Sequence, residues 1–184
     1  MGQPLIYARS MARRPPLVLA PETVNHITQR ATDSEAFSVD RHDRDAAVAV
    51  IEKTVDRYDV ELIDYCVMTN HLHLLMRAPR GNLPRAMQYL GARLVERFNR
   101  RHLRRGHLVQ APYHAEPVTD ENHWLWVRAY IALNPVWAGL VRRPEHWPWS
   151  GWGGNGRLVP LPDSGTRTIV EAALRDGLRK RPTG

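Results

Sequence analysis

Leu62-Ile63-Asp64-Tyr65-Cys66-Val67-Met68-Thr69-Asn70-His71-Leu72-His73-Leu74-Leu75-Met76-Arg77 is the stretch that decides the fold. Apolar residues dominate on both sides of Met68-Thr69-Asn70, so the run reads as two strands joined by a tight turn. Neighbouring side chains of an extended strand point to opposite faces. His71 and His73 therefore project the same way, roughly 7 Å apart along the backbone. A lone His-x-His is most often a structural or surface pair. On a rigid, central hairpin it becomes a pair of candidate metal ligands.

Working outward, Val24 to Arg30 reads as a first strand. Ala46, Val50, Ile51, Val55 and Tyr58 fall near helical spacing and predict a helix over 43–58, with Asp40 or Asp43 able to cap it. After Arg80-Gly81-Asn82, the stripe Leu83, Met87, Leu90, Leu94 and Phe98 predicts a helix over 83–104. A short strand is expected within 106–118. Thr119 or Asp120 then caps a helix beginning near Asn122, whose core stripe is Trp124, Val127 and Ile131. Tyr130 and Asn134 lie beside that stripe, and Pro135 predicts a helix end at Asn134, because it lacks an N–H and disfavours the α region before it. A last short helix is expected over 169–178. The order strand, helix, hairpin, helix, strand, helix defines an α+β class, a mainly antiparallel sheet packed against helices.

With 184 residues and 43% hydrophobic content, the chain suits one domain with a sizeable core. We divide it into a basic N-terminal arm (1–21), a catalytic domain (22–152) and a C-terminal extension (153–184). A formal charge of +7 points to a polyanionic partner. Arg85, Arg93, Arg97, Arg100, Arg101 and Arg104, with Arg105, form a basic series with little acidic complement. They are candidate DNA contacts or, equally, a solvated face. Tyr113, Trp124, Trp126, Trp137, Trp147, Trp149 and Trp152 could stack unpaired bases, although several must be core. The single cysteine, Cys66, excludes an internal disulfide and a multi-cysteine zinc site and fits a reducing cytoplasm. No apolar run approaches the roughly 18 residues of a membrane span.

Tyr130 and Asn134 share a helix face, so a tyrosine nucleophile and an oxygen donor lie one turn apart. A phenol of pKa near 10 needs an electrophilic, well-aligned phosphate. A divalent cation on His71 and His73, with the Asn134 carboxamide oxygen as third ligand, would supply one. Imidazole and oxygen donors suit Mg²⁺ or Mn²⁺. His26 is read as structural or near the DNA path, and His102, His107, His114 and His123 as weaker candidates.

Three segments carry a family resemblance. Tyr65 to Leu75 around His71 and His73, Tyr130-Ile131-Ala132-Leu133-Asn134-Pro135-Val136-Trp137-Ala138-Gly139-Leu140-Val141, and Pro148-Trp149-Ser150 together resemble the REP-associated tyrosine transposases. These belong to the single-tyrosine HUH nucleases, where U is a hydrophobic residue. Thr69, Asn25 and Ala31 depart from the family pattern, where proline, tyrosine and glycine are usual. The resemblance implies a ferredoxin-like HUH core, with the metal pair on a central strand and Tyr130 as nucleophile on an adjacent helix. It also implies a substrate of single-stranded or hairpin DNA repeats and a 5′-phosphotyrosine intermediate. Two other readings stay open: a non-catalytic DNA-binding regulator on the same fold, and a metal-dependent phosphodiester hydrolase.

Overall fold

The computed structural model describes residues 20–32, 36–154, 159–160 and 162–176. Most of the basic arm, and Leu178 at the end of the last expected helix, lie outside the described residues. The elements follow as β1 (Val24–Arg30), α1 (Arg41–Tyr58), β2 (Glu61–Val67), β3 (His71–Arg77), α2 (Leu83–Arg101), β4 (His114–Pro117), α3 (Glu121–Trp137) and α4 (Ser164–Asp176), with a 3-10 turn at Pro144–His146. The four strands form one antiparallel sheet in the order β2-β3-β1-β4. That βαββαβ connectivity is the ferredoxin-like arrangement, and it puts β3 and β1 in the middle.

Strand alternation gives the sheet two different faces. Ile27, Leu72, Leu74, Met76, Tyr65 and Val67 point to one side and pack against α1 and α2. The α1 contribution is Ala47, Val50, Ile51 and Thr54, so the helix is rotated slightly from the expected stripe; Thr54 is satisfied by its own Val50 carbonyl at 2.7 Å. Helix α2 uses the expected stripe plus Ala86 and Gly91. It stops at Arg101 rather than at 104, where Leu103 turns the chain with φ of 51°.

Cys66, Leu75 and Met68 point to the other side and meet Val127 and Ile131 of α3. Ala129, Ala132 and Leu133 on the opposite flank of α3 meet Val170 and Ala173 of α4, together with Trp152. Helix α3 is thus apolar around most of its circumference because it is covered on two sides. Asp120 caps it, accepting from the His123 N–H at 2.9 Å. The expected end at Asn134 is corrected: Pro135 sits inside the helix, which runs on to Trp137. The true stop is Gly139, with φ of 69°, whose N–H bonds to the Val136 carbonyl while the Leu140 N–H bonds to that of Pro135, each at 2.9 Å. This is the left-handed glycine closure of a helix C-terminus.

The strand expected within 106–118 is only His114–Pro117, a short edge strand. On the other edge, the Trp149-Ser150-Gly151 segment bonds to β2 through Val67 N to Trp149 O and Gly151 N to Tyr65 O, each 2.9 Å, covering what would be an open strand edge. Gly151 permits that approach, since a Cβ there would overlap the Asp64 carboxylate. The Arg44 guanidinium lies over the Trp147 and Trp149 rings at 5.1 and 5.0 Å and ties the segment to α1. Among the described residues no helix is long and apolar enough to cross a membrane.

Candidate active site

The register of the central strands assembles the site. His71, His73 and Leu75 of β3 share a face with Thr28 and His26 of β1, because Thr28 lies opposite His73 and His26 opposite Leu75. His73 is 1% exposed. Its Nδ1 lies 3.0 Å from His26 Nε2 and 3.2 Å from Thr28 Oγ1. His71 stands at the start of the strand, half exposed, with Nδ1 at 2.8 Å from Asn70 Oδ1. A carboxamide oxygen only accepts, so Asn70 Oδ1 can take a proton from His71 Nδ1, the tautomer in which Nε2 would be the metal-binding nitrogen. The two rings are 4.9 Å apart and nearly perpendicular. Burial, reinforced by His114 and His123, pulls the His26 pKa down to about 4, so this imidazole is neutral at physiological pH.

Helix α3 brings Tyr130 onto the same face. Its ring meets His73 edge-on at 5.3 Å between centroids, His26 at 5.8 Å, and Trp137 on its own helix at 5.7 Å. Asn134, one turn further on, is 2% exposed and donates from Nδ2 to the Tyr130 carbonyl at 2.9 Å. That bond uses the amide nitrogen and not the oxygen that a metal would take. Among the described residues no three His, Cys, Asp or Glu side chains gather as a metal cluster. The carboxamide oxygen of Asn134, one turn from Tyr130, is the third donor that the sequence reading expects beside His71 and His73. Two imidazoles and a hard oxygen would be a donor set suited to Mn²⁺ or Mg²⁺ with positions left for phosphate and water.

The arginine series falls elsewhere. Helix α2 packs on the α1 side of the sheet, so Arg85, Arg93, Arg97 and Arg100 lie across the sheet from Tyr130. Their acidic complement is also larger than the sequence suggests. Arg93 pairs with Glu96, Arg100 approaches the same carboxylate at 3.8 Å, and Arg101 is committed to Asp40 and Asp43 at the start of α1. Arg104 donates to the His107 carbonyl at 3.1 Å. What remains is a groove between α1 and α2 lined by Lys53, Tyr89, Arg93, Glu96, Arg97 and Arg100. Of the aromatic residues, Trp147 and Trp152 are core, while Trp126 is exposed and Trp137 flanks Tyr130.

Sequence reading missed the parts played by His26, Thr28 and Asn70 around the histidine pair. His26 and Thr28 share the i, i+2 spacing of His71 and His73, which is the one signal that could have found them. Only strand pairing shows that the two sets face each other.

The ferredoxin-like α+β fold that carries these residues matches known proteins. Residues 24–134 match the model of the IS200-like transposase family, more than half of the chain. The chain belongs to this family of DNA-processing enzymes. A Haemophilus influenzae protein assigned to the REP-associated tyrosine transposases is 25% identical, with 56% of this chain and 73% of that one covered. The solved structure of a REP-associated tyrosine transposase bound to a REP hairpin superposes with a TM-score of 0.68 over 82% of this chain and 88% of that one. At 16% identity, that likeness shows a shared fold. The resemblance read in the sequence is borne out by these matches.

Proposed function

We propose that this chain is a metal-dependent endonuclease and strand transferase that acts on single-stranded, hairpin-forming DNA repeats through a 5′-phosphotyrosine on Tyr130. The observation that carries the reading is the packing of the Tyr130 ring against His73, 5.3 Å between centroids, on the face that also presents His71. The substrate class is supported by the chain's charge of +7 and by the hairpin held in the structurally similar transposase.

Tyr130 Oη attacks phosphorus as the P–O3′ bond breaks. The phenol loses its proton and O3′ gains one, leaving a free 3′-hydroxyl and a phosphodiester between tyrosine and the 5′ side. The chemistry that Mg²⁺ or Mn²⁺ supplies, when held by His71, His73 and Asn134, is polarisation of a non-bridging phosphate oxygen and alignment of the phosphate. Trp137 offers an aromatic face beside the nucleophile on which an unpaired base can stack. Arg85, Arg97 and Arg100 would take phosphates on the far side of the sheet, away from the scissile bond. Cys66 is buried and is the sole cysteine, which suits work in a reducing cytoplasm.

A denaturing gel of the protein with labelled single-stranded hairpin DNA tests the reading. Label migrating with protein in Mg²⁺ or Mn²⁺, and absent in EDTA, is expected. Two free fragments with no adduct would indicate a hydrolase, and binding without cleavage a regulator.

A further inference from the structure

His73 Nδ1 has two polar neighbours from a strand remote in sequence, His26 Nε2 at 3.0 Å and Thr28 Oγ1 at 3.2 Å. The His26 and His73 rings are inclined to each other by 28° with centroids 5.1 Å apart, and their facing nitrogens are within hydrogen-bond distance. A hydrogen bond between two imidazole nitrogens requires that one donate and the other accept. If His26 Nε2 donated, the proton of His73 would sit on Nε2, where a metal needs a lone pair. If His73 Nδ1 donates, its Nε2 carries that lone pair.

We infer that His26, assisted by Thr28, is a positioning residue that holds His73 in the Nδ1–H tautomer and fixes its ring plane, so that Nε2 is presented as a metal ligand. The inference rests on the reading of His73 as a ligand. Thr28 strengthens it, because its hydroxyl can accept from the same Nδ1–H while its own proton turns elsewhere. An imidazole acceptor also raises the basicity of the ligand it orients, and loss of such an outer partner typically weakens metal affinity about 10–100-fold. His26 further touches Tyr130 edge-on at 5.8 Å, so the residue that orients the ligand also borders the nucleophile.

The test has two arms. The first is Mn²⁺ affinity, read from the free-ion electron paramagnetic resonance signal, for wild type, His26→Ala, His26→Gln, Thr28→Val and His73→Ala, each checked for folding by circular dichroism. His26→Ala should bind about 10–100-fold more weakly. His26→Gln, whose amide oxygen can still accept from Nδ1–H, should recover much of that loss, and Thr28→Val should show a smaller one. The second arm is nitrogen-15 NMR of the histidine rings in the metal-free wild type, where His73 should be protonated on Nδ1. Wild-type Mn²⁺ affinity in His26→Ala, with affinity lost in His73→Ala, would overturn the role of His26 and leave the metal site standing. Undiminished affinity in His73→Ala would instead remove the ligand assignment beneath it. A His73 proton found on Nε2 would overturn the inference even if His26→Ala failed to fold.

Discussion

Arg128 on α3 reaches Asp64 on β2, Nε to Oδ2 at 3.4 Å, with both side chains buried, and its Nη1 binds Asp163 ahead of α4 at 2.7 Å. One side chain thus fastens α3 to the sheet two residues before Tyr130. Burial, outweighing the Arg128 charge and the Tyr65 N–H bond, pushes the Asp64 carboxyl up from 3.8 to about 6.

The direction of that shift sets a pH dependence. The folded state holds the Asp64 proton more tightly than the unfolded chain, so this group stabilises the fold fully below pH 3.8, and the contribution is lost as pH rises through about 6. In urea titrations, the stability of wild type relative to Asp64→Asn should fall between about pH 4 and 6 and stay level above. A difference that rises across this window would show the opposite shift. Arg128→Met should cost about 3–5 kcal/mol at pH 8, by stranding a buried carboxylate, and less at pH 5, where Asp64 is protonated.

Tyr130→Phe should eliminate covalent adduct and cleavage, while hairpin affinity stays within about twofold, because only the attacking oxygen is removed. Gel shift and denaturing gel on the same sample measure both. Cleavage at the wild-type rate by the variant would place the nucleophile elsewhere, with Tyr113 the next residue to test.

His71→Ala and His73→Ala should each lower the rate of adduct formation and its dependence on Mg²⁺ or Mn²⁺ together, with Asn134→Ala giving a smaller loss of the same kind. Single-turnover rates across a metal titration separate these effects. Undiminished wild-type cleavage in excess EDTA would remove the metal from the mechanism, whereas an unaffected Asn134→Ala would remove only the third ligand.

Much of this was legible in the chain because periodicity reports local geometry. The β2–β3 hairpin, the α2 stripe and the Asp120 cap follow from side-chain spacing within one element. What spacing cannot carry is which faces meet. The His26–His73 contact joins residues 47 apart and exists only through strand register. Helix α2 has an unmistakable apolar face, yet nothing along it says that this face covers the side of the sheet opposite Tyr130. Pro135 misled for a local reason: α3 is gripped on two sides, and packing from Val127 to Leu133 outweighs one lost hydrogen bond near its end.

The α2 arginines now divide into two groups with different expected behaviour. Arg97→Ala with Arg100→Ala should weaken binding to every single strand and reduce the salt slope by about 0.7 for each lost phosphate contact. Adduct formation at saturating DNA should be unchanged, since α2 lies across the sheet from Tyr130. Arg101→Ala should instead lower the melting temperature, because Asp43 loses a partner at the junction of α1 and α2. An unchanged salt slope in the double variant would return this surface to a solvated face.

Strand polarity distinguishes tyrosine transfer from hydrolysis most sharply. Attack by Tyr130 Oη could expel either the 3′ or the 5′ oxygen, and the residues around the ring do not by themselves choose. The HUH resemblance implies loss of the 3′ oxygen, which leaves the phosphate on the downstream strand joined to tyrosine. One phosphodiester is exchanged for another, so the liberated 3′-hydroxyl can attack the phosphotyrosine in reverse and rejoin strands without ATP. DNA labelled downstream of the cut should therefore migrate with denatured protein, while the upstream fragment is extended by a polymerase. Adding an excess of an unlabelled upstream strand ending in a 3′-hydroxyl should discharge the adduct into a longer DNA product. Label retained from the upstream side would reverse the assigned polarity, and an adduct that water alone discharges would mean that the enzyme cuts but does not transfer strands.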